Sequence, residues 1–529
     1  MRSAVTQRAV WIAALTIGAL LLLSRLDGVR LWQDEAETAL LGRNTLRYGV
    51  PVVWDGRNLV AQYYSLDFER HLLHQKGWLP SYLVAASFAL FDESTASARL
   101  PFAILGLAAL WLCRRLALRL TGDPATATLA LFLLSTSLPF LLYSRQCRWY
   151  ALAMVLTLLL FEAEDRLEEH LGWVRFGLVV SALFHTNSLV CATSVAGILV
   201  ARLVTRGRSS ANRDLWLALA LASALSLPFA LVFPAFGFAA QSSQLDGYPQ
   251  RLAWVLADFN RWVLPIPGLA VLLLLSRGAP LRAAYYRRLL LAGAIAVALS
   301  VVPMWKGLVD IIGFRYAVNF LPVGAILFAA ALRALPLRPW LPAGVVALHL
   351  GTHVLGFPLS RMAGPRADAI VRTDLLDHVG SLLRPVKGPI DTAVEYLAPR
   401  VRPGDYLFTP YEQLPFQFYL PVRTVGLQGA AATLRTLGIQ LPAYVSDIYP
   451  DQIDWYVPRE SWNGFLGAPA TEQLLSGLAE RGVLFERHPL PGPDTAWQTR
   501  EYPPLCLFHP PRQAPRLVVY GRLGPATSK

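Results

Sequence analysis

Two adjacent carboxylates, Asp34 and Glu35, are the first residues in this sequence whose types could do chemistry. They lie a few residues after an apolar run over 9–26, and an ionisable group near membrane depth is costly unless it has a partner or a task. A carboxylate at that position could act as a general base at the membrane surface. The alternative is structural, because acidic residues are also favoured in the first turn of a helix. The residues alone leave both interpretations open.

Cationic and imidazole side chains follow in later polar connections, and they suit the binding of an anion such as a phosphate. The chain has only four lysines among its 48 basic residues, and two of them, Lys76 and Lys306, lie in these connections. Each candidate also has a structural interpretation. Lys76 near Trp78 could be an interfacial anchor, and a histidine at the end of a span is often structural. The candidates for phosphate binding are Lys76, Arg145, Arg148, His185, Lys306 and Arg315.

Eleven apolar runs must position these side chains, and each predicts a membrane span, although several are shorter than the roughly 20 residues that cross a bilayer. The first run follows Arg2 and Arg8 and could be a signal peptide. No small-residue cleavage site follows it, which favours a retained span. The runs cover residues 9–26, 99–116, 124–143, 149–162, 173–186, 188–203, 214–235, 261–276, 287–305, 316–335 and 339–357.

The arginines predict which side of the membrane each connection faces. If residues 78–91 form an interfacial helix instead of a span, the Arg-rich connections fall on one side, which the positive-inside rule assigns to the cytoplasm. The N-terminus is then cytoplasmic, and the long first loop (27–98) and everything after residue 357 are external. The arginines that set this orientation are Arg114, Arg115, Arg119, Arg202, Arg206, Arg208, Arg213, Arg277, Arg282, Arg287, Arg288, Arg333 and Arg338.

The composition favours a membrane protein and excludes other classes. The chain is 54% apolar and only 16% charged, whereas soluble domains are about 25% charged. Its net charge of +13 could indicate a nucleic-acid partner, but residues 1–360, the apolar part, hold 31 basic and 19 acidic residues and so carry nearly all of it. No nucleic-acid partner is therefore expected. The four cysteines are far apart, and no Walker, Rossmann or metalloprotease motif occurs.

The segment after residue 360 has mixed charge and frequent Pro and Gly, which predicts a small soluble α/β domain over 361–529. Residues 405–409, 416–420 and 516–520 are predicted as strands. Residues 471–481 are predicted as an amphipathic helix that ends at Gly482. The orientation above makes this domain extracytoplasmic.

Short motifs give the sequence a resemblance to the GT-C superfamily of integral-membrane glycosyltransferases, closest to its protein O-mannosyltransferase and lipid A aminoarabinose transferase branch. Asp34-Glu35 matches the acidic pair that opens the first external loop of that family. Lys76-Gly-Trp-Leu79 stands where the family has a basic residue followed by Pro-Pro-Leu. The other matches are Ser97-Ala-Arg-Leu-Pro101, then Ser144-Arg145 with Arg148 and Tyr150, and Arg315-Tyr316 with Pro322.

The resemblance implies a mainly α, polytopic membrane fold and the inverting transfer of a sugar from a polyprenyl-phosphate donor. It implies that Asp34 is the base toward the acceptor, that Glu35 supports it, and that the acceptor is an envelope lipid, glycan or protein at the plasma membrane. These two carboxylates offer too few oxygen ligands for a tight divalent site, so no metal or other cofactor is expected. Trp32 and Tyr150 would shape the acceptor site. The donor phosphate would be held by Lys76, Arg145, Arg148, His185, Arg315 and Tyr316.

Two other functions remain open from the residues. A polytopic transporter or lipid flippase with an external accessory domain would carry ionisable groups at mid-span and broken, repeated helices, and neither pattern is visible in the sequence. A non-catalytic envelope scaffold would depend only on the external tail domain, so deletion of that domain would test it.

Overall fold

The structure is a computed structural model of the 529-residue chain. It describes residues 2–60, 68–69, 72–207, 213–232, 247–302, 313–335, 340–356, 371–426, 450–459, 468–494 and 515–523. The predicted cation Lys306 and the predicted domain boundary at residue 360 lie outside the described residues.

Helices dominate the chain up to residue 351, and one lies at each of the eleven predicted spans. Residues 78–91 also contain a helix, and its interfacial position stays a prediction. The bounds are α1 (Arg2–Leu23), α2 (Gln33–Tyr48), α3 (Leu79–Phe91), α4 (Thr95–Thr121), α5 (Pro124–Ser135), α6 (Leu138–Arg145), α7 (Tyr150–Asp165), α8 (Gly172–Phe184), α9 (Ser188–Arg206), α10 (Arg213–Val232), α11 (Tyr248–Trp262), α12 (Ile266–Leu275), α13 (Ala279–Arg282), α14 (Ala284–Val301), a 3-10 helix (Gly313–Phe320), α15 (Leu321–Arg333) and α16 (Trp340–Gly351).

The apolar helices make this a polytopic α-helical membrane protein, as predicted. Among the described residues, five helices are long and apolar enough to cross a membrane, or seven if each of two bent pairs is one span. The bent pairs are α5–α6, at 64°, and α11–α12, at 66°. Pro139, near the start of α6, and Pro265, before α12, lack the backbone N–H that a continuous helix needs, which accounts for the breaks. The number of eleven spans stays a prediction.

An acidic segment at the end of α7 runs against the predicted distribution of basic residues, and its ion pairs explain why it is tolerated. Glu164 is fully buried, and its two carboxylate oxygens lie 2.6 Å from Arg202 Nη1 in α9 and 3.0 Å from Arg288 Nη1 in α14. Asp165 lies 3.0 Å from Arg119 of α4 and 3.2 Å from Arg288. Because buried charges need opposite charges, these acids tie the end of α7 to arginines on three other helices, α4, α9 and α14.

The chain divides into two compact units. The first unit comprises Met1–Ser24 and Leu100–Val379 and contains most of the apolar helices. The second comprises Arg25–Arg99 and Gly380–Lys529, so the predicted first external loop belongs to the same unit as most of the predicted tail domain. The predicted base therefore belongs to the second unit, together with Lys76. The predicted phosphate-binding arginines and His185 belong to the first.

The tail half of the second unit contains a five-stranded sheet with strand order β4-β3-β5-β7-β6. In this sheet β3 pairs in parallel with β4 and β5, whereas β7 is antiparallel to β5 and β6. A short hairpin lies in the first-loop half. The strands are β1 (Phe68–Glu69), β2 (Leu73–His74), β3 (Tyr406–Phe408), β4 (Arg423–Val425), β5 (Trp455–Tyr456), β6 (Phe485–Pro493) and β7 (Arg516–Arg522).

Two helices of the tail, α18 (Pro389–Leu397) and α19 (Gln413–Tyr419), pack on this sheet over an apolar core. Phe416 and Leu397 come from the helices of this core, and Leu407 and Val519 from the strands, and all four are fully buried. Removal of such side chains from water is the main driving force for folding of this region. The helices after residue 371 are α17 (Asp374–Leu383), most of which belongs to the first unit, then α18, α19 and α20 (Ala468–Ala479).

The structure confirms two of the three predicted tail strands and corrects the third. Residues 405–409 contain β3 and 516–520 lie within β7, but most of 416–420 belongs to α19. The backbone N–H of Leu420 donates to the Phe416 carbonyl at 2.9 Å, which is a helical bond. A short apolar run does not distinguish a buried helix from a strand by its periodicity. The predicted helix over 471–481 is α20, and Gly482 follows it at a left-handed φ of 78°.

Candidate active site

Asp34 and Glu35 lie in the first turn of α2, and both side chains are buried, at 2% and 0% exposure. Trp32 is the N-cap residue, and its backbone N–H donates to Glu35 Oε2 at 3.5 Å. Acidic residues are favoured there because the unpaired N–H groups and the helix dipole stabilise negative charge. The structural interpretation therefore applies to Glu35, which caps its own helix.

Arg99 forms a buried, bidentate ion pair with Glu35. The Nε atom donates to Glu35 Oε1 at 2.8 Å, and Nη2 donates to Oε2 at 2.6 Å. Paired N–H donors on a carboxylate form one of the stronger side-chain interactions in proteins. The same guanidinium also donates to the carbonyls of Leu26 and Val29, at 2.9 and 2.8 Å. Arg99 therefore fixes Glu35 and the chain segment that leads to it.

Sequence reasoning placed Arg99 only in the Ser97–Pro101 motif and gave it no role. One signal was present, because an arginine near the end of the predicted first loop is a candidate partner for the acidic pair near the start of that loop. The contact joins residues 64 positions apart, so no local spacing rule could have predicted it.

Lys76 lies beside the same helix, in the second unit. Its Nζ atom is 3.4 Å from Glu37 Oε1, and the Glu37 side chain is buried while that of Lys76 is 41% exposed. The indole of Trp78 donates to the carbonyl of His74 at 2.6 Å and orders the turn that carries the lysine. The structure thus brings Lys76 to α2, the helix whose first turn holds Asp34.

In the first unit, Arg315 and Tyr316 meet the aromatic residues at the start of α7. The Arg315 guanidinium lies 5.1 Å from the centroid of the Tyr316 ring, and its Nη2 is 3.2 Å from the Tyr316 hydroxyl. The Tyr316 ring stacks with Trp149 at 6.1 Å, and Trp149 contacts Tyr150 at 4.3 Å. Two motifs that are far apart in sequence therefore form one cluster of aromatic and cationic side chains.

Arg145 and Arg148 come just before Trp149 in the sequence. Both are buried, and Arg315 is buried too. Arg145 Nη1 donates to the carbonyls of Leu21 and Leu22 at 2.6 and 3.0 Å, so it caps the C-terminal end of α1. Burial of three arginines is costly unless each guanidinium meets an acceptor, an anion or an aromatic face. Such a cluster could attract a phosphate.

His185 lies at the C-terminal end of α8. Its ring contacts Phe184 and Phe229 at centroid distances of 5.5 and 5.3 Å, and its Nε2 is 3.4 Å from the carbonyl of Leu225. These contacts support the structural interpretation of this histidine more directly than phosphate binding.

Comparisons with known proteins give the fold. Neither a protein-family model nor a curated protein matches the chain. The structure of ArnT from Cupriavidus metallidurans bound to undecaprenyl phosphate is similar, with a TM-score of 0.58 and 16% identity, over 97% of this chain and 97% of that chain. The apo state of the same enzyme gives a TM-score of 0.53 and 17% identity, over 90% of this chain and 95% of that one. The chain therefore shares the fold of these ArnT structures, and the resemblance found in the sequence is confirmed as far as the fold.

The Glu35–Arg99 pair predicts a specific pattern of stability. Arg99→Met should lower the free energy of unfolding by about 3–5 kcal/mol because it leaves a buried carboxylate without its partner. Addition of Glu35→Gln should restore part of that loss, since the uncompensated charge is removed. Apparent melting temperatures of the purified variants in detergent would measure both effects. A double variant that is as unstable as Arg99→Met, or that loses the sum of the two single losses of stability, would contradict the ion pair's role.

Proposed function

We propose that the protein is an inverting glycosyltransferase that moves a sugar from a polyprenyl-phosphate donor to an acceptor at the external face of the plasma membrane. The observation that carries the proposal is the similarity, along nearly the whole length of both chains, to an ArnT structure that contains undecaprenyl phosphate. A polyprenyl phosphate is what remains when such a donor has given up its sugar. The distribution of arginines along the sequence supports a cytoplasmic N-terminus and an external position for Asp34.

Asp34 is the base in this proposal. It takes the proton of an acceptor hydroxyl while the hydroxyl oxygen attacks the anomeric carbon of the donor sugar. The bond between that carbon and the phosphate oxygen breaks, and the phosphate leaves with the electron pair. Because attack comes from the face opposite the phosphate, the anomeric configuration inverts. Glu35 has both oxygens engaged by Arg99, which assigns the proton transfer to Asp34 and a supporting role to Glu35.

The leaving phosphate develops negative charge, and cations placed in advance stabilise that charge in a site of low polarity. Arg148, Arg315 and Lys76 are proposed for this role, with Tyr316 as a hydrogen-bonding neighbour of Arg315. Arg145 and His185 are assigned to support of the phosphate-binding segments, since their described contacts are with helix carbonyls and phenyl rings. The proposed acceptor is an envelope lipid, glycan or protein. Its contact residues would include Trp32 and Tyr150.

Asp34→Asn should reduce turnover by about 10²–10⁴-fold, because the amide cannot accept the proton of the acceptor. The assay follows release of polyprenyl phosphate from polyprenyl-phosphate sugars by the purified enzyme in lipid vesicles, with envelope extract as acceptor. Asp27→Asn is the matched control, since Asp27 is an exposed acid at the start of the same loop. Turnover of Asp34→Asn at the level of this control would contradict the role of the base.

We also propose that no divalent metal is required. In the described part of the chain, no three His, Cys, Asp or Glu side chains are grouped as metal ligands, and the oxygens of Glu35 already accept from Arg99. A tight site for a hard cation takes six or more oxygen ligands in general. Turnover in excess EDTA should stay within about twofold of the untreated enzyme. Loss of activity that added Mg²⁺ or Mn²⁺ restores would overturn this proposal.

A further inference from the structure

The side chain of Gln33 joins the start of α2 to the tail of the second unit. Its Nε2 atom donates to Gln413 Oε1 at 3.1 Å, and its Oε1 atom accepts from the Leu414 backbone N–H at 3.1 Å. Gln33 and Gln413 are both buried, at 0% and 1% exposure. With both ends of the amide engaged, the side chain cannot turn without breaking two buried hydrogen bonds. Gln33 directly precedes Asp34, so this contact fixes the residue next to the proposed base.

Two more contacts hold the chain just before Gln33. The backbone N–H of Arg30 donates to Asp391 Oδ1 at 2.8 Å, and that of Leu31 donates to the Tyr419 hydroxyl at 2.9 Å. Asp391 also accepts from the Gly388 N–H at 2.8 Å. Burial raises the pKa of Tyr419 to about 12, so this hydroxyl stays neutral over the working pH range. Three residues in the four positions before Asp34 are therefore bound to the tail.

The partners of these contacts lie on elements that the tail core holds in place. Asp391 belongs to α18, and Gln413, Leu414 and Tyr419 belong to α19. Both helices contribute buried side chains to the core. The packing around Gln413 is tight, since a Cβ atom at Gly426 would lie 2.6 Å from Gln413 Oε1. The contacts are also remote in sequence, since Gln33 and Gln413 are 380 positions apart. The tail thus presents preformed acceptors and donors to the segment that carries the base.

We infer that the tail of the second unit positions the carboxylate of Asp34, with Gln413 as the main positioning residue. The inference rests on the proposed function, because it assigns a task to the same base. The tail thereby gains a role in the chemical step, and no sequence motif indicated this role. A reacting group displaced by about 1 Å can cost on the order of 100-fold in rate. Gln413 acts through Gln33 and touches no substrate in this account.

The test compares two buried glutamines one turn apart on α19. Gln413→Met removes the contact to Gln33, whereas Gln417→Met removes bonds to the Leu59 and Thr424 carbonyls instead. Gln413→Met should lower kcat by about 10–100-fold and leave KM for the polyprenyl-phosphate sugar within twofold. Gln417→Met should keep kcat within about threefold of the parent enzyme. Gly426→Ala, which displaces Gln413 sterically, is the second variant should Gln413→Met fail to fold.

Hydrogen–deuterium exchange provides a readout that does not depend on activity. The amides of residues 30–36 should exchange faster in Gln413→Met than in the parent protein, and at the parent rate in Gln417→Met. Unchanged exchange together with unchanged kcat would overturn the inference. If Asp34→Asn keeps full turnover, the proposed base fails whatever the exchange shows. If Asp34→Asn is inactive while Gln413→Met and Gly426→Ala have parental kcat, only the positioning inference fails.

Discussion

The buried ion pair between Glu35 and Arg99 is the interaction on which the start of α2 depends, and with it the segment that carries the proposed base. It places two opposite charges in a nearly dry environment, where loss of either partner leaves an uncompensated charge. The same guanidinium binds carbonyls of Leu26 and Val29, so one side chain sets the path of the chain into α2. Asp34 lies next to Glu35 in the same first turn of α2. The acidic doublet is therefore two residues with separate tasks, of which one is structural and one is proposed to be chemical.

Short-range sequence features predicted the positions of the helices and of the candidate residues. The apolar runs predicted where the helices form, because backbone groups in hydrocarbon must be satisfied within the segment. Asp34 and Glu35 were expected either at a helix start or at a reaction centre, and they lie in the first turn of α2. The motifs around Arg145 and Arg315 singled out residues that the structure places in the first unit, where Tyr316 stacks with Trp149.

Long-range contacts could not be predicted in the same way. Nothing in the spacing of Gln33 and Gln413 indicates that their amides meet, and the partners of Arg30 and Leu31 are equally remote. The strand predicted over 416–420 proved to be helical because a short buried run satisfies its backbone in either form. The acidic end of α7 does not fit the predicted concentration of basic residues in the cytoplasmic connections. It is explained by the ion pairs of Glu164 with Arg202 and Arg288. For Gln33, Arg30, Leu31 and Glu164 the missing information was which distant side chain compensates a buried polar group.

The central claim is a single displacement at the sugar, with Asp34 as the base. Nuclear magnetic resonance of the product made from a polyprenyl-phosphate sugar of known anomeric configuration tests it most directly. The account predicts that the product formed on envelope extract has the opposite configuration at the anomeric carbon. Retention of configuration would require two successive displacements through a covalent glycosyl intermediate and would contradict a single displacement. The absence of any sugar transfer would contradict it as well.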